Sequence, residues 1–307
     1  AAQGHRRGRP PMTPASAGAG LPASAGAGPV EAVILGIAQD AGVPQIGCDC
    51  PACGAARADP SLRQRAVSVG LIDSEARASW IIDATPDFRE QYDALRALAP
   101  DCPLRGIALT HIHIGHYLGL AQLGREALNA RGMPVLCSPR AAAFLASNGP
   151  WSQLVENGNI ILAPWTAGAP IALSPALTVT PVTVPHRAEF SDTVAFSVAG
   201  PRQTLFYCPD IDRWDDWEQN IRAVVDAHNV ALLDATFFSG AELPGRDMSK
   251  IPHPLVTDTV ARLRGTTSAV TLIHLNHSNP LLRDTPERAW LREQGFSVGA
   301  QGQTWRL

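Results

Sequence analysis

Short apolar runs recur along the chain from Glu31 onward and alternate with segments of helical spacing. Eleven of these runs are rich in β-branched residues and are predicted to be strands, from EAVILGIA at the start to AVTLIHL near the end. A first set of strands, helices between them and a second set of strands predict a layered α/β protein with two sheets inside helices. No change in composition marks a second domain within residues 31–307.

Helices are predicted where apolar residues recur three and four positions apart. The clearest begins after Pro86, where Phe88, Tyr92, Leu95 and Leu98 share one face. Further helices are predicted over residues 118–131, 139–147, 215–228 and 255–264.

Residues 1–30 have a different composition from the rest of the chain. Ala, Gly, Pro and Ser dominate, and ASAGAG occurs twice. Such a segment buries too little surface to offset its ordering entropy, so we predict that it is disordered. No apolar core of a secretory signal is visible. A cytoplasmic location is the expectation, with export, a trimmed signal, an upstream start and a cloning remnant left open.

The charge balance limits the classes of partner. The 25 Lys and Arg against 28 Asp and Glu give a net charge of -3, which offers no electrostatic case for nucleic acid or an anionic membrane. No apolar run reaches the roughly 20 residues that cross a bilayer. We therefore expect a soluble globular protein with a small-molecule substrate, and a homodimer is left open.

Seven of the nine histidines fall in three regions, mostly at or just after an apolar run. The regions hold His111, His113 and His116, then His186, then His253, His274 and His277. Asp210 ends another apolar run, and Asp212 competes with it for the same role. Neutral imidazole together with carboxylate suits zinc and other first-row divalent ions, so these residues are candidate metal ligands.

Cysteine spacing suggests a second kind of metal site. Cys48, Cys50 and Cys53 are too tightly clustered to pair simply with one another, and metal binding explains the clustering better than disulfides do. Cys102, Cys137 and Cys208 are interpreted as buried hydrophobic residues.

Taken in order, THIHIGH, PHR, CPD and IHLNH resemble the metallo-β-lactamase superfamily. The segment VPQIGCDCPACGAAR resembles the branch that holds the pyrroloquinoline-quinone biosynthesis protein B and the cyclic-phosphate phosphodiesterase of the carbon-phosphorus lyase pathway. The resemblance implies a four-layer αββα fold with two central mixed sheets.

The resemblance also implies a set of ligands. One metal would be held by His111, His113 and His186, and Asp210 would bridge to a second metal. That second metal would be held by His116 and His274. A separate structural zinc would be bound by Cys48, Cys50, Cys53 and His277, a four-ligand set with no open position.

Gly115 departs from the superfamily motif, which has aspartate at this position. The second metal would then keep two imidazoles and one shared carboxylate, so we expect weaker occupancy, whereas the first site loses nothing. The expected cofactors are one structural zinc and one or two catalytic zinc ions, with iron or manganese as alternatives at the catalytic site.

The predicted function is a metal-dependent hydrolase in which a metal-bound hydroxide, held by Asp210, attacks a phosphodiester or cyclic phosphate. By resemblance, His253 would protonate the leaving group, although a solvated loop histidine is nearly as well supported. The alternatives are an oxidative step like that of the quinone-biosynthesis relative, using iron; a lactonase or β-lactamase-type hydrolase; and a degenerate site that only binds a ligand.

Other polar residues near strand ends have less specific interpretations. Asp83 and Asp87 are interpreted as turn or helix caps. Asp234 and Thr236 are expected to orient ligands through hydrogen bonds.

Overall fold

Two seven-stranded sheets form the centre of the fold in the computed structural model, which describes residues 29–243, 245–247 and 251–307. Most of the segment predicted to be disordered, residues 1–28, lies outside the described residues. Val30, assigned to that segment, is the first residue of strand β1.

The first sheet has the order β14-β1-β2-β3-β4-β5-β6. Its strands are β1 (Val30–Gly36), β2 (Ser68–Asp73), β3 (Ala78–Ile82), β4 (Leu104–Ala108), β5 (Met133–Cys137), β6 (Ile160–Pro164) and β14 (Thr304–Arg306). Neighbours are parallel from β3 to β6 and antiparallel elsewhere.

The second sheet repeats this plan in the order β13-β12-β11-β10-β9-β8-β7. Its strands are β7 (Ile171–Ala172), β8 (Thr178–Thr183), β9 (Val194–Ala199), β10 (Thr204–Cys208), β11 (Val230–Asp234), β12 (Ala269–Ile273) and β13 (Ser297–Val298). Neighbours are parallel from β10 to β13 and antiparallel elsewhere, so both sheets are mixed.

The helices lie outside the sheets. They are α1 (Pro51–Ala58), α2 (Phe88–Leu98), α3 (Ile114–Tyr117), α4 (Pro139–Ser147), α5 (Trp151–Glu156), α6 (Ile221–Asp226), α7 (Val256–Leu263) and α8 (Pro286–Glu293). Among the described helices, none combines the length and hydropathy that a membrane span requires.

Alternating side chains of β1 show how the layers are held together. Ala32 and Ile34 belong to the apolar core shared with the second sheet, whereas Val33 and Leu35 face the core that contains Phe88 of α2. Burial on both faces explains why the predicted strands read as nearly continuous apolar runs. The predicted four-layer αββα fold is confirmed.

Several element boundaries differ from the predictions. The segment predicted as a helix over 118–131 is a 3-10 turn, Leu118–Leu123, followed by turns, because a helix ends where Gly124 becomes extended. The helix predicted over 215–228 shortens to α6, which the Asn220 side chain caps at Ala223 N. Three short strands, β7, β13 and β14, were missed because they have too few residues for a period to appear.

Candidate metal centre

Asp210 lies at the centre of the histidine residues, just after β10. Its carboxylate is buried, and burial alone would raise its pKa, but the surrounding imidazoles hold the pKa well below the usual range. The Oδ2 atom faces Nε2 of four imidazoles: His186 at 3.3 Å, His111 at 3.4 Å, His116 at 3.6 Å and His274 at 3.9 Å. Asp210 rather than Asp212 faces the Nε2 atoms of these imidazoles, which agrees with the choice of Asp210 for the bridging role.

His111, His113 and His186 form the first donor set with Asp210. His113 Nδ1 is 2.9 Å from Nε2 of His111 and 3.2 Å from Nε2 of His186. Zinc–nitrogen bonds of 2.0–2.1 Å place the donor atoms of a tetrahedral site about 3.4 Å apart. The two nitrogen–nitrogen distances are slightly shorter than this value and are close to those of a zinc site. The structure therefore brings together the residues predicted for the first metal.

A second donor set contains His116 and His274, as predicted, together with Asp40, which the sequence analysis did not identify. Asp40 Oδ1 lies 3.5 Å from His116 Nε2. Within the described part of the chain, four atoms of this region are buried without a hydrogen-bond partner: Asp40 Oδ1, His116 Nε2, Asp210 Oδ1 and His274 Nε2. Buried polar atoms are rarely left unpaired, so this convergence fits a bound cation.

Hydrogen bonds orient the rings by their other nitrogen atoms. Asp83 Oδ2 accepts from His116 Nδ1 at 3.0 Å, and Asp212 Oδ1 accepts from His186 Nδ1 at 2.7 Å. These bonds direct Nε2 of each ring toward Asp210. The interpretation of Asp83 as a cap is therefore incomplete, because this buried carboxylate also positions a candidate ligand.

The other predicted orienting residues also contact the centre. Thr236 Oγ1 lies 2.8 Å from His274 Nδ1 and donates to Asp234 Oδ1 at 2.7 Å. Asp87 differs from its predicted capping role: its side chain makes no cap bond to α2 but accepts from Ala66 N at 2.8 Å.

His253 is buried beside the centre rather than solvated. Its Nδ1 is 2.8 Å from Asp234 Oδ2 and 3.3 Å from Asp210 Oδ1. Asp234 also accepts from Ile211 N and Thr236 N, so donors already surround its carboxylate. These contacts describe a hydrogen-bonded Asp–His pair better than a further metal site.

Backbone strain is concentrated at the same place. Among the described residues, five non-glycine residues have positive φ, and three of them are Asp83 (67°), His253 (93°) and His274 (60°). Such conformations cost about 1–3 kcal/mol each and persist where the surrounding structure imposes them. The surrounding structure therefore holds these three residues in a strained backbone conformation, which fixes the direction of their side chains.

Burial lowers the pKa of His111 and of His186, and neighbouring carboxylates oppose this effect to different degrees. For His111 burial prevails, with the repulsion of His116 added, and the pKa is well below normal. For His186 the carboxylates Asp210 and Asp212 outweigh burial and raise the pKa to about 9. The low pKa keeps the His111 imidazole neutral, which is the form that binds a metal ion.

Cys48, Cys50, Cys53 and His277 also meet, as predicted. His277 Nδ1 is 3.3 Å from the Cys48 Sγ and 3.4 Å from the Cys50 Sγ. Burial raises the pKa of the Cys50 thiol, but hydrogen bonds with His277 and Cys53 outweigh burial and lower the pKa to about 6. The thiolate is the form that binds metal.

Two cavities open beside the centre. One, of about 310 Å³, is lined by His253 and Arg213, and the other, of about 570 Å³, by Asp40, His277 and Arg246. Each therefore combines a residue of the metal region with a guanidinium group.

Two mixed sheets inside helices, with histidine and aspartate at the strand ends, define a metallo-hydrolase fold of the metallo-β-lactamase class. The chain belongs to the β-lactamase superfamily domain family, whose model matches residues 80–277. It is 31% identical to coenzyme PQQ synthesis protein B of Azotobacter vinelandii, over 88% of this chain and 97% of that protein.

Solved structures agree on the fold. The Zn²⁺-bound PqqB of Methylobacterium extorquens has a TM-score of 0.76 at 22% identity, covering 90% of this chain and all of that one. A diphosphatase from the PhnP family has a TM-score of 0.66 at 21% identity, covering 91% and 97%. The predicted superfamily and branch are confirmed.

Proposed function

We propose that the chain is a zinc-dependent hydrolase that acts on a phosphodiester or cyclic phosphate. The observation that carries this proposal is the position of Asp210 Oδ2, which lies 3.3 to 3.9 Å from imidazoles of two donor sets. A carboxylate placed in this way can be shared by two cations. Zinc bound there would polarise a substrate oxygen and lower the pKa of a water molecule.

His253, beside the two donor sets, is placed to protonate the leaving group. His253 lines the smaller cavity while Asp234 engages its Nδ1, so the opposite ring nitrogen is available to protonate a departing oxygen. Asp234 would hold the ring in one orientation during this transfer.

Guanidinium groups line both cavities, alongside carboxylates such as Asp258, and can pair with an anionic substrate. Arg213 lines the cavity that contains His253, and Arg246 lines the one that contains Asp40. Guanidinium groups pair with phosphate oxygens through short charge-assisted hydrogen bonds. The solved diphosphatase of the PhnP family, a fold neighbour, supports a phosphate compound as substrate.

A second candidate is a step in coenzyme PQQ synthesis, with iron in place of zinc. It is favoured by the 31% identity to coenzyme PQQ synthesis protein B, which extends over nearly all of that protein. Histidine and aspartate ligands suit iron as well as zinc. Oxygen consumption with a peptide-derived precursor would support this candidate over the hydrolase.

The hydrolase proposal is tested with zinc-reconstituted protein on bis(p-nitrophenyl) phosphate, a cyclic nucleotide, a lactone and a chromogenic β-lactam. We expect turnover of the phosphate esters and its loss in His113→Ala. His228→Ala is the matched control, because His228 contacts Ser197 and Val224 away from the centre. Full activity of His113→Ala would refute the mechanism. Turnover of the lactone or lactam alone would overturn the substrate class, and inactivity on all four would favour a binding protein.

A further inference from the structure

Asp40 and Gly115 occupy one small volume next to the second donor set. A Cβ atom on Gly115 would lie 2.1 Å from Asp40 Oδ1 and 2.7 Å from Asp40 Cα. Real Cβ atoms do not approach other atoms this closely, so any side chain at position 115 would displace both the carboxylate and its backbone. The absence of a side chain at position 115 is therefore what admits Asp40.

Asp40 meets the geometric requirements of a ligand. Although 46% of its side-chain surface is accessible, Oδ1 is buried and has no hydrogen-bond partner among the described residues. It faces Nε2 of His116 at 3.5 Å, and the Nε2 of His274 completes the group. Both imidazole nitrogens are also buried and unpartnered in the described chain, so three donors converge on one point.

The backbone around Asp40 is anchored on both sides. Gln39 N donates to Leu275 O at 2.9 Å, directly after His274. Val43 N donates to Gln64 O at 2.7 Å, and Gly42 supplies the positive φ of 70° that the turn between them requires. Asp40 is thus presented by a fixed turn.

We propose that Asp40 is a ligand of the second metal, and that it supplies from the segment before the cysteine cluster the carboxylate that Gly115 cannot. This inference rests on the proposed two-metal centre, but not on its substrate. The second metal then has two imidazoles, Asp210 and Asp40, a four-donor set like that of the first metal. Its occupancy is accordingly comparable with that of the first, contrary to the expectation from Gly115 alone.

Metal binding by the full chain without substrate tests the assignment. Wild type and Asp40→Asn are stripped of metal and titrated with zinc against a chromophoric chelator, and with Co²⁺ followed by visible absorption. We expect three zinc equivalents in wild type and at least about a tenfold weaker third equivalent in Asp40→Asn. Asp49→Asn is the matched control on the same segment, because its carboxylate is almost fully exposed.

Gly115→Ala provides a test that removes no donor atom. Its Cβ would force Asp40 away, so the same equivalent should weaken. Gly54→Ala is the control, because a Cβ there has nothing within 4 Å. Unchanged affinity in both Asp40→Asn and Gly115→Ala would overturn the assignment of Asp40. Wild type that binds zinc only at the cysteine cluster would instead refute the proposed two-metal centre.

Discussion

Replacing Asp83 with Asn should weaken the second metal without any change to a ligand. The buried carboxylate accepts from Thr110 N at 2.8 Å, from Thr110 Oγ1 at 2.9 Å and from His116 Nδ1 at 3.0 Å. Asparagine fits the same space and tolerates the φ of 67°, so the backbone should keep its course. Its amide nitrogen, however, cannot accept a hydrogen bond.

The expected magnitude follows from the bond that is lost. One charge-assisted hydrogen bond contributes about 1.5–3 kcal/mol, and loss of a residue that orients a metal ligand lowers affinity by roughly 10 to 100-fold. Tenfold corresponds to about 1.4 kcal/mol, so the two figures agree. His116 would lose the partner that directs its Nε2 toward the metal, and the affinity of the second zinc should fall within this range.

Zinc affinity is measured by chelator competition, and the free energy of unfolding by denaturant titration of the metal-free protein. Asp73→Asn is the matched control, since Asp73 is equally buried at the end of β2 and accepts from Glu75 N and Ala76 N. Both variants should lose stability, but only Asp83→Asn should lose metal affinity. Equal zinc affinity in the two variants would refute the orienting role of Asp83.

Three further substitutions test the cysteine site, the first metal site and the apolar core separately. Cys50→Ser should remove the cysteine-bound zinc, counted by elemental mass spectrometry, while the first central ion remains, and an unchanged zinc count would contradict the cysteine site. Asp212→Asn removes the acceptor 2.7 Å from His186 Nδ1 and should weaken the first zinc about tenfold, whereas Asp192→Asn, at a half-buried residue that pairs with Arg140, should not. Phe196→Ala opens a cavity in the core between the sheets and should cost about 3–5 kcal/mol of unfolding free energy in denaturant titration. Loss of zinc in that variant's folded state would argue against a purely structural role for Phe196.

The histidines were predictable as candidate ligands because most lie at or just after an apolar strand, and parallel strands end at a common edge. His111 after β4, Asp210 after β10 and His274 after β12 all obey this rule. Metal binding by the cysteine cluster was predictable from its spacing, whereas His277 was assigned to it by the family resemblance. Local patterns thus identified the candidate ligands, and the family resemblance divided them among the sites.

Asp40 illustrates what local patterns omit. It lies in a polar turn without periodicity, and the nearby cysteine cluster indicates a separate metal site rather than a role for Asp40. His253 posed the opposite problem: its place in the sequence suggested a loop, but contacts with Asp234 and Asp210 bury it. In each case long-range packing, rather than residue type, decides the position of the side chain.

The close approach of Asp40 to Gly115 shows that a ligand missing from the motif does not by itself imply a weak metal site. A glycine in a ligand motif removes a donor, but it also leaves space that another segment can occupy. Here the segment that enters carries Asp40 and continues into Cys48, Cys50 and Cys53. His274 and His277 likewise lie on one loop, so two of the segments that carry the second donor set, those of Asp40 and His274, also carry the cysteine cluster. The first donor set has no ligand on either segment. If Asp40 binds the second metal, loss of the cysteine-bound zinc should therefore weaken the second central ion before the first.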